Sequence, residues 1–163
     1  VGHSGRRKER KTELKPPSRM PHLTILICTH NRATLLARVL DSLNCAKRPQ
    51  GGAEILVVAN ACTDGTHALL EAYAHSPGVR LPLGWIVEPT PGKSHALNHA
   101  IPEISTELTA FVDDDHRVDE NYLVAIEEAA NTWPDAGLYC GRILPDWDGT
   151  EQEWHCQQGN AQR

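Results

Sequence analysis

The chain has 163 residues, 40% of them apolar and 23% charged, with a formal net charge of −5. That length suits one domain with a buried core, and the acidic balance argues against a general binder of nucleic acid, itself a polyanion. No apolar run approaches the roughly 20 residues of a membrane span, and no secretory apolar region lies near the start.

Residues 1–20 read as a disordered basic tail. GRRKERK packs five basic residues into seven positions, with nothing nearby apolar enough to dock. Such a segment gives weak peripheral attraction to an anionic membrane surface; the plainer alternative is upstream sequence before a start at Met20. From Leu23 an alternating rhythm begins. LTILICT is an apolar strand of the kind buried on both faces. The helix that follows carries Leu35, Leu36, Val39, Leu40 and Leu43 at helical spacing, with Asn31 or Thr34 as its cap. EILVVAN is a second strand, and ACTDGTHALLEAYA a second helix with Ala68, Leu69, Ala72 and Tyr73 on one face and Thr63 or Asp64 as cap. LGWIVEP, a loop opening the short helix of PGKSHALNHAI, and the strand LTAFVD come next. DENYLVAIEEAANTW is a fourth helix, and GLYCGRIL has the composition of a fifth strand. Residues 148–163 are polar and aperiodic, a C-terminal tail. The five cysteines, Cys28, Cys45, Cys62, Cys140 and Cys156, form no C-x-x-C pair and suit buried free thiols in a reducing cytosol. His155 and Cys156 lack a second ligand pair at zinc-site spacing.

Strands alternating with helices across short loops mean βαβ units. The expected class is α/β, a mostly parallel sheet with helices on both faces, and residues 21–147 form the domain. Ligands of such sheets bind outside the carboxyl ends of the strands. Four polar loops fall on that rim: Thr29 to Arg32, Asn60 to Thr66, Glu88 to Ser94, and Asp113 to Arg117. The last delivers three consecutive carboxylates, Asp113, Asp114 and Asp115, followed by His116. Two readings fit them, a solvated acidic loop and a site for a hard divalent cation that neutralises their repulsion and completes its shell with water and phosphate. The first turn, CTHNRATL, contains no glycine, which excludes a G-x-G-x-x-G dinucleotide site, and PGKS lacks the upstream glycine of a P-loop.

TILICTHNRATLLARVLDSL, EILVVANACTDGT, EPTPGKSHALNHAI and FVDDDHRV, in that order and spacing, resemble the family 2 nucleotide-sugar glycosyltransferases over about Leu23 to Trp147. The resemblance implies a GT-A core, a Rossmann-like nucleotide-diphospho-sugar transferase fold, with a C-terminal part missing. It places Asp113 and Asp115 as the family's Asp-x-Asp. Asp115 would ligate Mn²⁺ or Mg²⁺, Asp113 would face the ribose or the metal shell, and Asp114 is the variable middle position. Thr29, Asn31 and Arg32 match the loop lining the nucleotide pocket, and Lys93 matches a lysine able to meet a phosphate. Asn60 is retained and Asp64 matches a later aspartate of its loop, though Asp64 reads equally well as a helix cap. His95 and His99 read as ordinary helix residues.

Two departures stand out. Ala59 occupies the place of a nucleobase-contacting aspartate, so a uridine nucleotide is not implied. The family's general base lies well beyond the Asp-x-Asp, and Asp146, Asp148, Glu151 and Glu153 match nothing at that place, so no catalytic base is assigned. The implied reaction is inverting transfer of a sugar from a metal-bound nucleoside diphosphate sugar to an acceptor hydroxyl on a glycan, lipid carrier or protein. It would take place in the cytoplasm, with peripheral contact at the inner membrane face. Two alternatives stay open: a non-catalytic nucleotide-sugar-binding remnant and a metal-dependent nucleotidyltransferase.

Overall fold

A computed structural model describes residues 22–76 and 81–145. The basic segment 1–20, the polar segment 148–163 and the acids from Asp146 onward lie outside the described residues. Four strands are present, β1 (Leu23–Thr29), β2 (Ala53–Asn60), β3 (Leu83–Glu88) and β4 (Leu108–Asp113). Four α-helices join or follow them, α1 (Ala33–Cys45), α2 (Thr66–Ala74), α3 (Lys93–Ala100) and α4 (Tyr122–Thr132), with a short 3-10 turn at Ile101–Glu103. None of the helices among the described residues is long and apolar enough to cross a membrane.

The strands order as β3-β2-β1-β4, all parallel. Each crossover is therefore a βαβ unit. The chain builds outward from β1 to β2 and β3, then returns to place β4 on the other side of β1. That reversal makes a topological switch point between β1 and β4, where neighbouring loops leave in opposite directions and open a crevice. In register, Cys28 of β1 lies beside Asp113 of β4, and Thr29 beside Ala59 of β2.

Because side chains alternate across a strand, β1 feeds two cores. Leu23, Ile25 and Ile27 join Ile55, Val57 and Ala59 of β2 and Val112 of β4, under Leu36, Val39, Leu40 and Leu43 of α1, Leu70 of α2 and Leu123 of α4. On the opposite face Leu26 and Val58 pack against Ala96 and Ala100 of α3, whose small side chains let the helix lie close. Helices thus cover both faces, as the rhythm of the sequence requires.

Three expectations are corrected. On α2, Thr66 and Leu70 are buried and Leu69 and Tyr73 pack partly buried against the core, but Ala68 and Ala72 are exposed; alanines at helical spacing mark a face without saying which way it turns. Residues 137–144 form no strand, and Leu138, Ile143 and Leu144 are 77%, 73% and 62% exposed. Apolar composition alone makes no strand, since the backbone needs a ladder partner. Of the cysteines, Cys28 and Cys62 are half-buried whereas Cys45 and Cys140 are exposed.

Candidate functional site

The switch point is occupied by a polar cleft of about 300 Å³ lined by Cys28, Thr29, His30, Arg32, Asn60, Lys93, Asp113, Asp114 and Asp115. Asp114 is its anchor. The residue is 5% exposed, and its carboxylate accepts from the Thr29 hydroxyl at 2.8 Å and from Arg32 Nη1 at 3.1 Å. A buried carboxylate is tolerated when its oxygens are hydrogen-bonded and its charge is paired, and the last residue of β1 and the loop after it supply the two partners. The position that sequence comparison treats as variable therefore welds the β4 turn to the β1 loop. Asp113 and Asp115 stay exposed. Asp113 accepts from Lys93 Nζ at 2.5 Å, and Arg32 Nη1 reaches Asp115 at 3.5 Å. His116 folds back, with its backbone N–H donating to the Asp113 carbonyl at 3.1 Å. One ligand atom each from Asp113, Asp115 and His116 lie within 4.8 Å of one another, two hard oxygens and an imidazole, a donor set that fits a small divalent cation.

Asn31 and Asp64 brace the rim. Asn31, in the left-handed region at φ 55°, accepts through Oδ1 from the backbone N–H groups of Thr63 and Asp64 at 2.7 and 3.2 Å. Asp64 accepts from Thr66 N and Oγ1 through one oxygen and from Ala33 N, the first residue of α1, through the other. Neither Asn31 nor Thr34 caps α1; Asp64 serves both helices, because a carboxylate has two oxygens and each helix start has free N–H groups. The bond from the Thr66 hydroxyl holds the Asp64 carboxyl below its usual value.

Asn60 has a similar positioning part. Its Nδ2 donates to the carbonyls of Glu88 and Thr90, and its Oδ1 accepts from Gly92 N at 2.8 Å. Gly92 sits at φ 133°, a conformation side chains rarely adopt, and it turns the chain so that Lys93 begins α3 facing β4. Glu88 accepts from Thr90 N at 2.6 Å and from His99 Nδ1 at 3.0 Å; the Thr90 bonds first, then His99, lower its pKa. His99 is thus a partner within this brace. Ala59 is fully buried in the core.

His30 and Cys28 were not singled out from the sequence. His30 Nδ1 donates to the Asn60 carbonyl at 2.6 Å, which leaves Nε2 to accept from Asn31 Nδ2 at 3.5 Å. Burial raises the Cys28 thiol to about 11, outweighing the nearby Lys93 charge. The strand parity shared by Leu26 and Cys28 carried the signal for the cysteine.

The Lys93 bond lowers the Asp113 pKa, and the same bond raises that of Lys93. The Asp113 contribution to stability is present above its unfolded value of 3.8 and lost as pH falls through its lower folded value. That of Lys93 is present below 10.5 and lost as pH rises through its higher folded value. Both side chains are more than half exposed, so screening keeps the pair under about 1 kcal/mol. Thermal melts should show Asp113→Asn slightly less stable than wild type at about pH 6, the gap narrowing towards about pH 3; an unchanged gap would contradict the pairing.

A carboxylate-lined cleft at the β1/β4 switch, with its Gly92-Lys93 turn braced by Asn60 of β2, is thus in place. The family description "Glycosyl transferase family 2" matches residues 24–161. This chain belongs to that family. Its four-stranded parallel sheet with flanking helices resembles the GT-A glycosyltransferases. The family 2 chain is 27% identical over 107 residues to the beta-monoglucosyldiacylglycerol synthase of Nostoc sp., a match covering 66% of this chain and 23% of that protein. It thus spans about a quarter of that relative's length. Among solved structures, the mannosyltransferase PcManGT of Pyrobaculum calidifontis, in complex with GDP-Man and Mn²⁺, is 32% identical with a TM-score of 0.54. The match covers 63% of this chain and 29% of that one. TarS of S. aureus, in complex with UDP-GlcNAc, is 23% identical with a TM-score of 0.56, covering 76% of this chain and 37% of that one, and shows the fold alone.

Proposed function

We propose that this family 2 chain is the donor-binding part of an inverting glycosyltransferase, holding a nucleoside diphosphate sugar with Mn²⁺ or Mg²⁺ for transfer to an acceptor hydroxyl. The observation that carries it is the convergence of Asp113, Asp115 and His116 within 4.8 Å beside Lys93 and Arg32 in one cleft. Asp113 and Asp115 would hold the cation, which when bound supplies Lewis-acid stabilisation of the departing diphosphate. The chain's own groups do the rest. Lys93 and Arg32 offer positive charge to the phosphates, Lys93 as a mobile point charge and Arg32 as a fork fixed by Asp114. Asp114, itself held by the Thr29 hydroxyl, keeps that fork in place. His30 and the end of β2, where Ala59 is buried, line the side away from the carboxylates, and with no carboxylate there a uridine nucleotide is not favoured over a guanosine one. PcManGT, with GDP-Man and Mn²⁺, supports both the metal and a non-uridine donor as reasonable expectations.

Among the described residues the cleft's carboxylates all sit on the donor side, paired with Lys93, Arg32 or Thr29, so none is assigned as the general base. The acceptor and its base belong to the remainder of the machinery. The basic segment 1–20 adds weak peripheral attraction to anionic lipid at the cytoplasmic face, a reading that rests on charge alone.

A donor panel tests this. Calorimetry with UDP-, GDP- and ADP-sugars, each with Mn²⁺ or with chelator, should find at least one donor bound only when metal is present. Equal binding with chelator, or none across the panel, would overturn the reading. Metal-dependent binding without transfer is expected of a donor-binding part by itself, and metal-dependent hydrolysis or transfer would exclude the non-catalytic alternative.

A further inference from the structure

Asp113 has two claimants. It belongs to the carboxylate-imidazole group that fits a divalent cation, yet its Oδ1 already accepts from Lys93 Nζ at 2.5 Å. An ammonium and a divalent cation repel each other at such range, so both do not share one carboxylate oxygen without cost. Arg32 presents no comparable conflict. Its guanidinium is held by buried Asp114 at 3.1 Å and only grazes Asp115 at 3.5 Å. Lys93 differs in being free to swing. Its side chain is 62% exposed, while the backbone that carries it is pinned through Gly92 N to Asn60 Oδ1 and through the carbonyls of Glu88 and Thr90 to Asn60 Nδ2. A fixed backbone with a mobile four-carbon stem makes a pivot.

We propose that Lys93 is a stand-in cation for the metal site: it neutralises Asp113 when no ligand is bound, and swings to a phosphate oxygen when a nucleoside diphosphate arrives. This rests on the donor-site reading above and adds to it a coupling between the two ligands. The metal alone binds weakly because Lys93, held on Oδ1 of the same carboxylate, repels it until the lysine moves away. A diphosphate draws Lys93 off Asp113 and opens the metal position, so each ligand tightens the other by the same factor. The device keeps the cleft near neutral without ligand and discourages capture of free cations.

The first arm of the test needs no nucleotide. Mn²⁺ alone is titrated into the full chain, read by calorimetry and by loss of the free-ion paramagnetic resonance signal. Lys93→Met keeps the apolar stem, removes the charge, and should bind Mn²⁺ tighter by on the order of ten-fold. Lys93→Arg should stay near wild type. Equal or weaker Mn²⁺ binding in Lys93→Met, or no measurable binding by either protein, would overturn the proposal. Asp115→Ala serves as the site control, and Mn²⁺ binding to Lys93→Met that survives it would also overturn the proposal. In the second arm, Lys93→Met should weaken nucleoside diphosphate binding with Mn²⁺ present while reducing the factor by which each ligand tightens the other. Because the first arm uses the metal by itself, a failed donor panel leaves it readable, and the two conclusions fail separately.

Discussion

Asp114→Ala is expected to lower stability by about 2–3 kcal/mol and to disorganise the cleft. Asp114 is 5% exposed and receives the Thr29 hydroxyl and the Arg32 guanidinium. Truncation leaves the Thr29 side chain, in a residue only 2% exposed, without its acceptor, and an unmet buried hydroxyl costs about 1–3 kcal/mol. The loss of the paired charge adds to this, moderated because the Arg32 side chain is 52% exposed and regains water. In a domain of this size such a loss lowers the melting temperature by roughly 10 °C. Asp114→Asn retains one acceptor oxygen for Thr29 and should lose about half as much. Thermal melts of the two variants check this; a change in Asp114→Ala within about 0.5 kcal/mol, typical of surface sites, would show that the weld between β1 and β4 carries no weight.

The neighbouring residue should behave in the opposite way. Asp115 is half exposed, and Arg32 approaches it only at a long 3.5 Å. Asp115→Ala should leave the melting temperature within about 2 °C of wild type. Under the proposed function it removes one of two carboxylate ligands of the cation. Changes to groups merely supporting a ligand cost 10–100-fold in affinity, so metal-dependent nucleoside diphosphate binding should fall by about 100-fold or more. Calorimetry with Mn²⁺ and the best donor of the panel measures it, and unchanged affinity would sink the metal assignment. The two variants together separate the roles of adjacent, chemically identical residues: one holds the fold of the site, the other its ligand.

Much of this molecule was readable from residue order. The both-faces-apolar run from Leu23 to Cys28, the helical spacing of Leu36, Val39, Leu40 and Leu43, and the four polar loops define parallel βαβ units whose chemistry lies on one rim. Those signals are local, because burial imposes a period of 2 or 3.6 on the chain whatever its partner. Where periodicity was replaced by bare composition, the reading failed. GLYCGRIL has strand-like residues and no strand.

The sequence by itself determined the fold class, the family and most of the candidate groups, because each is carried by types and spacings of residues along one chain. Only the tertiary structure decided their division of labour. Placing β4 against β1 puts Asp114, of three consecutive aspartates, between Thr29 and Arg32, residues more than 80 positions away. The same packing turns Asn60 into the brace of the Gly92 loop and Lys93 into the partner of Asp113. Hydrogen bonds and charge pairing act over a few ångströms of space, so their partners are set by strand order and by the path of each loop.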